Sequence, residues 1–193
     1  MTEGSEQLGF SVTTTSLEMT ARPTRPPKPP PTLNNPLMLL RAERPTISFY
    51  RYLYNTVGAK WLWYERRSLD DDTLSAIIHD EQDFIYVLHV GGVPAGFVEL
   101  DCRDMPNIEI AYFGLMPEFI GRGLGGRLID WALESAWNRE PDRVWIHTCN
   151  LDHPAALPLY QKVGFTPFAQ ETIVISDPRG TLGFPTLDFP SGV

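Results

Sequence analysis

NIEIAYFGLMPEFIGRGLGGR, residues Asn107 to Arg127, decides how this chain reads. An apolar, strand-like run ends at Leu115-Met116, and Pro117 closes it. Gly121, Gly123, Gly125 and Gly126 follow, four glycines in six positions, with Arg122 and Arg127 among them. Such a turn lets backbone N–H groups point into one small volume, and the helix that opens there adds the positive end of its dipole. Together they suit a diphosphate. The two arginines can add charge-assisted bonds. The plain structural alternative is a glycine-rich connector beside a tightly packed helix. Gly121, Gly123 and Gly126 also satisfy G-x-G-x-x-G. A dinucleotide site, however, starts its glycines directly after the first strand of a parallel sheet, and here Pro117 to Ile120 intervene. A P-loop fails for want of a Lys-Ser/Thr pair after the glycines.

Working outward, Asp83 to Val90, Val93 to Leu100 and Ile108 to Met116 are three strands joined by short turns, so this half of the sheet is an antiparallel meander. Beyond the glycines, Leu128, Ala132 and Ala136 form a helical stripe that Pro141 stops. Arg143 to Cys149 is a strand, which brings in parallel pairing through a crossover helix. A helix opens at Pro154 and is capped by Gly164, and a last strand lies around Ala169 to Ile175. Upstream, Leu37 to Ala42 reads as a strand. Phe49, Leu53 and Val57 mark a helix ended by Gly58, and a capping box from Ser68 to Asp71 precedes a short helix ending near His79. The fold class is therefore α/β: a mixed, mostly antiparallel central sheet with helices on both faces. Between Tyr50 and Tyr64 stand six large aromatic residues in fifteen positions, which serve either as core packing or as a pocket wall.

Phe10 to Thr20 reads as an edge strand or an extended arm, and Arg22 to Pro31 as a polyproline-II connector. The expected division is an N-terminal arm with a proline-rich linker over residues 1–36 and one domain over 37–193. The net charge of −8 argues against nucleic acid as a partner and agrees with a cationic one. No apolar run approaches the roughly 18 residues of a membrane span, and the N-terminus shows no secretory pattern, so a cytoplasmic location is expected. Cys102 and Cys149 read as free thiols. His79, His89, His147 and His153 show no metal spacing, so no metal is expected. His147 could line a cleft, with a packed or solvated ring as the plainer account.

Two segments resemble the GNAT superfamily of acyl-CoA-dependent N-acetyltransferases. Leu115-Met116-Pro117 matches its hydrophobic-x-Pro step, and Ile120-Gly121-Arg122-Gly123-Leu124-Gly125 matches its Gln/Arg-x-x-Gly-x-Gly/Ala turn. Ile120 departs from the pattern, standing where Gln or Arg is usual. Downstream, Asn150, Ala155 or Ala156, and Leu159 to Phe165 are similar to the family's Asn…Ala…Leu-Tyr-x-Lys-x-Gly-Phe segment. The resemblance runs from about Leu37 to Ile175 and implies a sheet splayed at the acyl-CoA site.

It also implies roles. The backbone N–H of Leu115 would hold the thioester oxygen, and Met116 would help start the coenzyme A cradle. Amides from Arg122 through Gly123, Leu124, Gly125 and Gly126 to Arg127 would take the phosphates. Asn150 would orient the pantetheine arm or a water, and Tyr160 would protonate the leaving sulfur. Glu109, eleven positions before Ile120, is the candidate base, with Glu99 as its competitor. A charge within an apolar strand is costly unless it has a partner or a task. Glu99, Asp101 and Glu109 are expected to cluster across neighbouring strands. The expected function is transfer of an acetyl group from acetyl-CoA, by direct attack in a ternary complex, to a primary amine on a small molecule, peptide or protein. A homodimer stays open. The alternatives are an acyl-CoA-binding module without turnover and, less well supported, a nucleotide-binding oxidoreductase.

Overall fold

The computed structural model describes residues 9–26 and 35–184. Its strands are β1 (Gly9–Met19), β2 (Leu37–Arg41), β3 (Asp83–Val90), β4 (Val93–Asp101), β5 (Asn107–Leu115), β6 (Arg143–Cys149) and β7 (Thr166–Ser176). Its helices are α1 (Ile47–Gly58), α2 (Asp71–Ile78), α3 (Leu124–Trp137) and α4 (Ala156–Val163). The strands form one sheet in the order β2-β3-β4-β5-β6-β1-β7. Every neighbouring pair is antiparallel except β5 and β6, which the crossover through α3 makes parallel. Buried side chains of α1 and α2 pack with one cluster, those of α3 and α4 with another, so the sheet is covered on both faces. This is the mixed α/β architecture the strand and helix patterns imply.

Local chemistry explains the helix ends. Thr46 caps α1 by accepting the Phe49 N–H at 3.3 Å. The fully buried stripe of α1 is Tyr50, Leu53, Tyr54 and Val57, so Phe49 sits at its margin. The cap of α2 is Asp70, which accepts the Thr73 N–H at 2.7 Å, two residues after the Ser68 expected to do so. Gly164 ends α4 in the left-handed conformation, at φ 114°. α3 starts at Leu124, so it includes two of the turn's glycines in its first turn.

The first strand corrects the sequence reading. Residues Phe10 to Thr20, expected at an edge or as an arm, supply β1, which pairs with β6 over Thr14–Met19 and with β7 over Gly9–Glu18. β7 is the edge instead. A strand's own letters carry its alternation, whereas its neighbours come from distant segments. After β1, Arg22 donates to Asn138 Oδ1 at 3.0 Å, and Arg25 pairs with Asp130 and donates to the Val163 carbonyl, so the chain here runs along α3. Most of the proline run, from residue 27, lies outside the described residues, as does the tail beyond residue 184.

The sheet opens in its middle. β5 and β6 pair only over Asn107–Glu109 and Arg143–Trp145. Just beyond, β5 carries an extra residue at Ala111, since Ile110 faces Leu100 while Tyr112 faces Glu99. A bulge bends its strand and raises the local twist, which turns β5 away from β6.

Candidate active site

A cleft of about 300 Å³ occupies the gap between β5 and β6. Its β5 wall ends at Gly114 and Leu115. The Met116 N–H donates to the Ala95 carbonyl at 2.9 Å, and Leu115 stands opposite Gly96. Successive N–H groups along a strand point to opposite edges, so the Leu115 N–H is directed into the gap. Met116 itself has its N–H committed to β4 and its side chain in the core, so it supports the step from behind. Gly114 is required here, because a Cβ would come within 2.3 Å of Val57 Cγ1 on α1.

The glycine turn forms the end of the cleft. Gly121 and Gly123 have φ values of 81° and 76°, and a Cβ built on either meets nothing within 4 Å. They are glycines for conformation, and the concavity above them stays open. Gly123 caps α3 without any side-chain bond, and the first turn of α3 holds no acidic residue. The leading N–H groups of a 14-residue helix therefore face this concavity without a side-chain partner from the cap. Leu124 is fully buried and anchors the helix start, Gly125 lines the cleft, and Gly126 and half-buried Arg127 complete the turn. Arg122 is exposed with its guanidinium 5.1 Å from the Phe119 ring centre. Ile120, at the position that breaks the family pattern, lies at the rim, 38% exposed. An open, uncapped helix start with bare glycines fits the diphosphate of coenzyme A.

Tyr160 closes the α4 side. Its ring is buried between Phe113 and Phe165, and among the described residues its hydroxyl makes no hydrogen bond. Burial, then the charge of Asp152, pushes this phenol well above its ordinary range, so it keeps its proton.

The carboxylates take different partners. Glu109 Oε1 stands 3.2 Å from His147 Nδ1, and it is the imidazole that lines the cleft. The hydrogen bond to Glu109 raises the His147 pKa against the opposing effect of burial, with further help from the charges of Glu109, Glu65 and Asp152. Glu99 is fully buried and bonded to Arg66 at 2.6 Å and to the Tyr50 hydroxyl at 2.5 Å. Asp101 pairs with Arg103. The expected cluster is met in part: Asp101 stands opposite Glu109 across β4 and β5 and its charge acts on Glu99, while each of the three carboxylates is engaged with its own basic partner.

Asn150, expected to orient the pantetheine arm or a water, has its side-chain amide bonded to β1. Its amide accepts the Thr13 N–H at 2.9 Å and donates to the Ser11 carbonyl at 3.1 Å. Those bonds pin β1 to the end of β6. Val12 and Thr14 of β1 consequently line the cleft, a contribution that the sequence alone did not indicate.

The aromatic segment divides. Tyr50 and Tyr54 are core residues, while Trp61, Trp63 and Tyr64 line the cleft together with Glu65. This strap crosses to the loop after β6: Trp63 Nε1 donates to Asp152 Oδ1 at 3.2 Å, and the Trp61 and His153 rings meet at 5.0 Å. Asp152 is held in turn by the Thr148 hydroxyl and the Cys149 N–H. Sequence reasoning passed over Glu65 and Asp152, and it gave His147 a place in the cleft without its acidic partner. Only the register that sets Glu109 beside Trp145, two positions before His147, puts acid and imidazole together. Among the described residues no group of His, Cys, Asp and Glu is arranged to hold a metal, and no helix is long and apolar enough to cross a membrane.

Known proteins are similar to this chain in sequence and in fold. An uncharacterized N-acetyltransferase of Methanocaldococcus jannaschii is 32% identical over 126 residues, 61% of this chain and 50% of the relative, so the chain spans half that protein's length. An uncharacterized N-acetyltransferase of Lactobacillus delbrueckii subsp. lactis is 32% identical over 60% of this chain and 70% of its own length. In fold, the chain is similar to the ribosomal-protein-S18-alanine N-acetyltransferase of Escherichia coli, with a TM-score of 0.57 and 15% identity over 73% of this chain and 95% of that one. The model of the GNAT acetyltransferase family matches residues 47–165, which take in the meander, the glycine turn and Tyr160, and the chain belongs to that family.

Proposed function

We propose that this protein transfers an acyl group, acetyl in the first place, from its coenzyme A thioester to a primary amine, with both substrates bound together. The observation that carries this reading is the convergence on one cleft of the Leu115 N–H, the uncapped start of α3 and the free Tyr160 hydroxyl. Coenzyme A supplies the activated acyl group and a thiolate leaving group. The α3 amides from Leu124 to Arg127, with Arg122 beside them, hold its diphosphate, and the Leu115 N–H polarises the thioester carbonyl. The attacking nitrogen must arrive without its proton. His147 Nε2 takes that proton, with Glu109 behind Nδ1 orienting the ring and stabilising the imidazolium. In this reading Glu109, the candidate base expected from the sequence, positions the imidazole that lines the cleft, and His147 is the base. Tyr160 donates its proton to the departing sulfur. Glu99 is held in the core and takes no step.

The acyl-CoA-binding module without turnover needs neither a free phenol nor an acid–imidazole pair, and both border the cleft. The two free thiols, Cys102 buried and Cys149 half-buried, agree with the reducing cytoplasm expected for the chain. Thermal shift with acetyl-CoA, coenzyme A and NAD, followed by thiol release with a panel of amines, tests the proposal. Acetyl-CoA and coenzyme A should raise the melting temperature, NAD should not, and Tyr160→Phe should lower turnover about 10-fold or more while keeping the shift. Stabilisation by NAD alone would overturn the acyl-CoA site, and stabilisation by coenzyme A without turnover on any amine would leave a binding module.

A further inference from the structure

The permanently charged side chains among the described residues that line the cleft are one-sided. Glu65 and Asp152 line it, and Glu109 stands directly behind His147. Among the described lining residues there is no lysine and no arginine. The nearest arginine of the α1–α2 connection, Arg66, is turned inward to Glu99 at 2.6 Å. Arg122 and Arg127 belong to the turn at the other end. The strap over the gap is aromatic: Trp63 lies 5.2 Å from Tyr112 and 5.4 Å from Tyr54, ring centre to ring centre. Glu65 Oε2 accepts the Tyr54 hydroxyl at 3.1 Å, which sets this carboxylate against the same rings.

We infer that the acceptor is a small aryl- or alkylamine that enters as an ammonium and carries no carboxylate at its reacting end. This rests on the acyl-transfer reading of the cleft and names the class of amine it takes. An ammonium group is attracted by the aromatic faces and by Glu65. The carboxylate of a free amino acid would be brought up to Glu65 and Asp152 with no lysine or arginine among the described lining residues to receive it and with His147 neutral in its role as base, and like charges so placed cost binding and discriminate against the wrong ligand. The contacts Trp63–Asp152 and Trp61–His153 join the strap to the loop after β6 across the mouth. A cleft of about 300 Å³ that must also receive the acyl end of the donor leaves room for a slim amine.

Calorimetric titration at pH 7.5 in the presence of coenzyme A, with phenethylamine, phenylalaninol and phenylalanine, tests the inference. The three share one ring and one ammonium group. Phenylalaninol has nearly the size of phenylalanine without its charge. Phenethylamine and phenylalaninol should bind about 30-fold or more tightly than phenylalanine. In Glu65→Gln, which can keep the Tyr54 bond through the amide oxygen, the gap should narrow as binding of both uncharged-tail amines weakens. Equal binding of phenylalanine, equal rejection of phenylalaninol, or a gap unchanged in Glu65→Gln would each overturn it. Binding is read without turnover. A protein that binds phenethylamine in this way but releases no thiol with it or with any amine of the panel would refute the acyl-transfer reading and leave the selectivity standing.

Discussion

Two glutamates on adjacent central strands have opposite fates. Glu99 on β4 has no exposed surface, and Arg66 and the Tyr50 hydroxyl bind it, with Tyr50 itself packed on Tyr54 and Phe97. Glu109 on β5 keeps 21% of its side chain exposed, and its partner His147 keeps 40%. The first carboxylate is locked to a guanidinium that does not titrate. The second meets a group that exchanges its proton near neutral pH. The difference teaches that a carboxylate in a strand is functional or structural by virtue of its partner and its access to the cleft, which its own residue type leaves open.

The sharpest way to break the comparison is Glu99→Ala. It leaves Arg66, with a side chain only 12% exposed, without its counter-ion, and should cost about 3–5 kcal/mol of stability in urea unfolding. A midpoint that hardly moves would show that Glu99 does not hold the core.

Next comes the pair in the cleft. His147→Gln should lower kcat/KM about 100-fold, with little change in the unfolding midpoint. Glu109→Gln should lower it less and should also change its pH dependence. The proton acceptor must be neutral, so kcat/KM rises with pH as the imidazolium loses its proton. Glu109 holds the His147 pKa above its ordinary value, so the midpoint of that rise should move to lower pH in Glu109→Gln. For stability the sign is fixed by the same shift. A histidine raised on folding stabilises the folded state below its unfolded pKa, and that contribution is lost as pH rises through the folded value. A profile whose midpoint is the same in both proteins would remove His147 from the proton path.

The smallest effect concerns Asp83, across β3 and β4 from Asp101. Both its carboxyl oxygens are buried and without a hydrogen bond, and burial, with Glu99 adding to it, pushes its pKa up to about 9. A carboxyl raised on folding contributes stability below its unfolded pKa and loses it as pH climbs towards the folded value. Asp83→Asn should therefore equal the parent near pH 4 and gain on it progressively as the pH rises, read as the difference in urea midpoint. A difference that is the same at both ends would mean that Asp83 titrates as an ordinary surface acid.

The glycine turn was legible because its residues act through their own backbones. Gly121 and Gly123 must adopt positive φ, and the helix that follows must start uncapped. Both are local facts written into consecutive letters. The meander was legible for the same reason, since short turns leave adjacent strands little choice but to pair. Asn150 shows the opposite case. Its letter matched a family segment, yet its amide is taken by β1, a strand from the other end of the chain. The aromatic segment was half legible. Helical spacing accounts for Tyr50 and Tyr54 in the core, whereas the bond from Trp63 to Asp152 spans 89 positions.

By itself, then, the sequence determined the strands and helices, the antiparallel run into the turn, the glycine-rich, uncapped helix start, and the phenol of Tyr160 on the helix that Gly164 ends. Periodicity, caps and glycine stereochemistry act within a few residues, so they survive without a fold. The tertiary structure alone decided that β1 lies between β6 and β7, that Glu99 is buried on Arg66, and that Glu109 reaches the cleft through His147. Each depends on which distant segments share a register, and register is settled by burying apolar faces over the whole sheet.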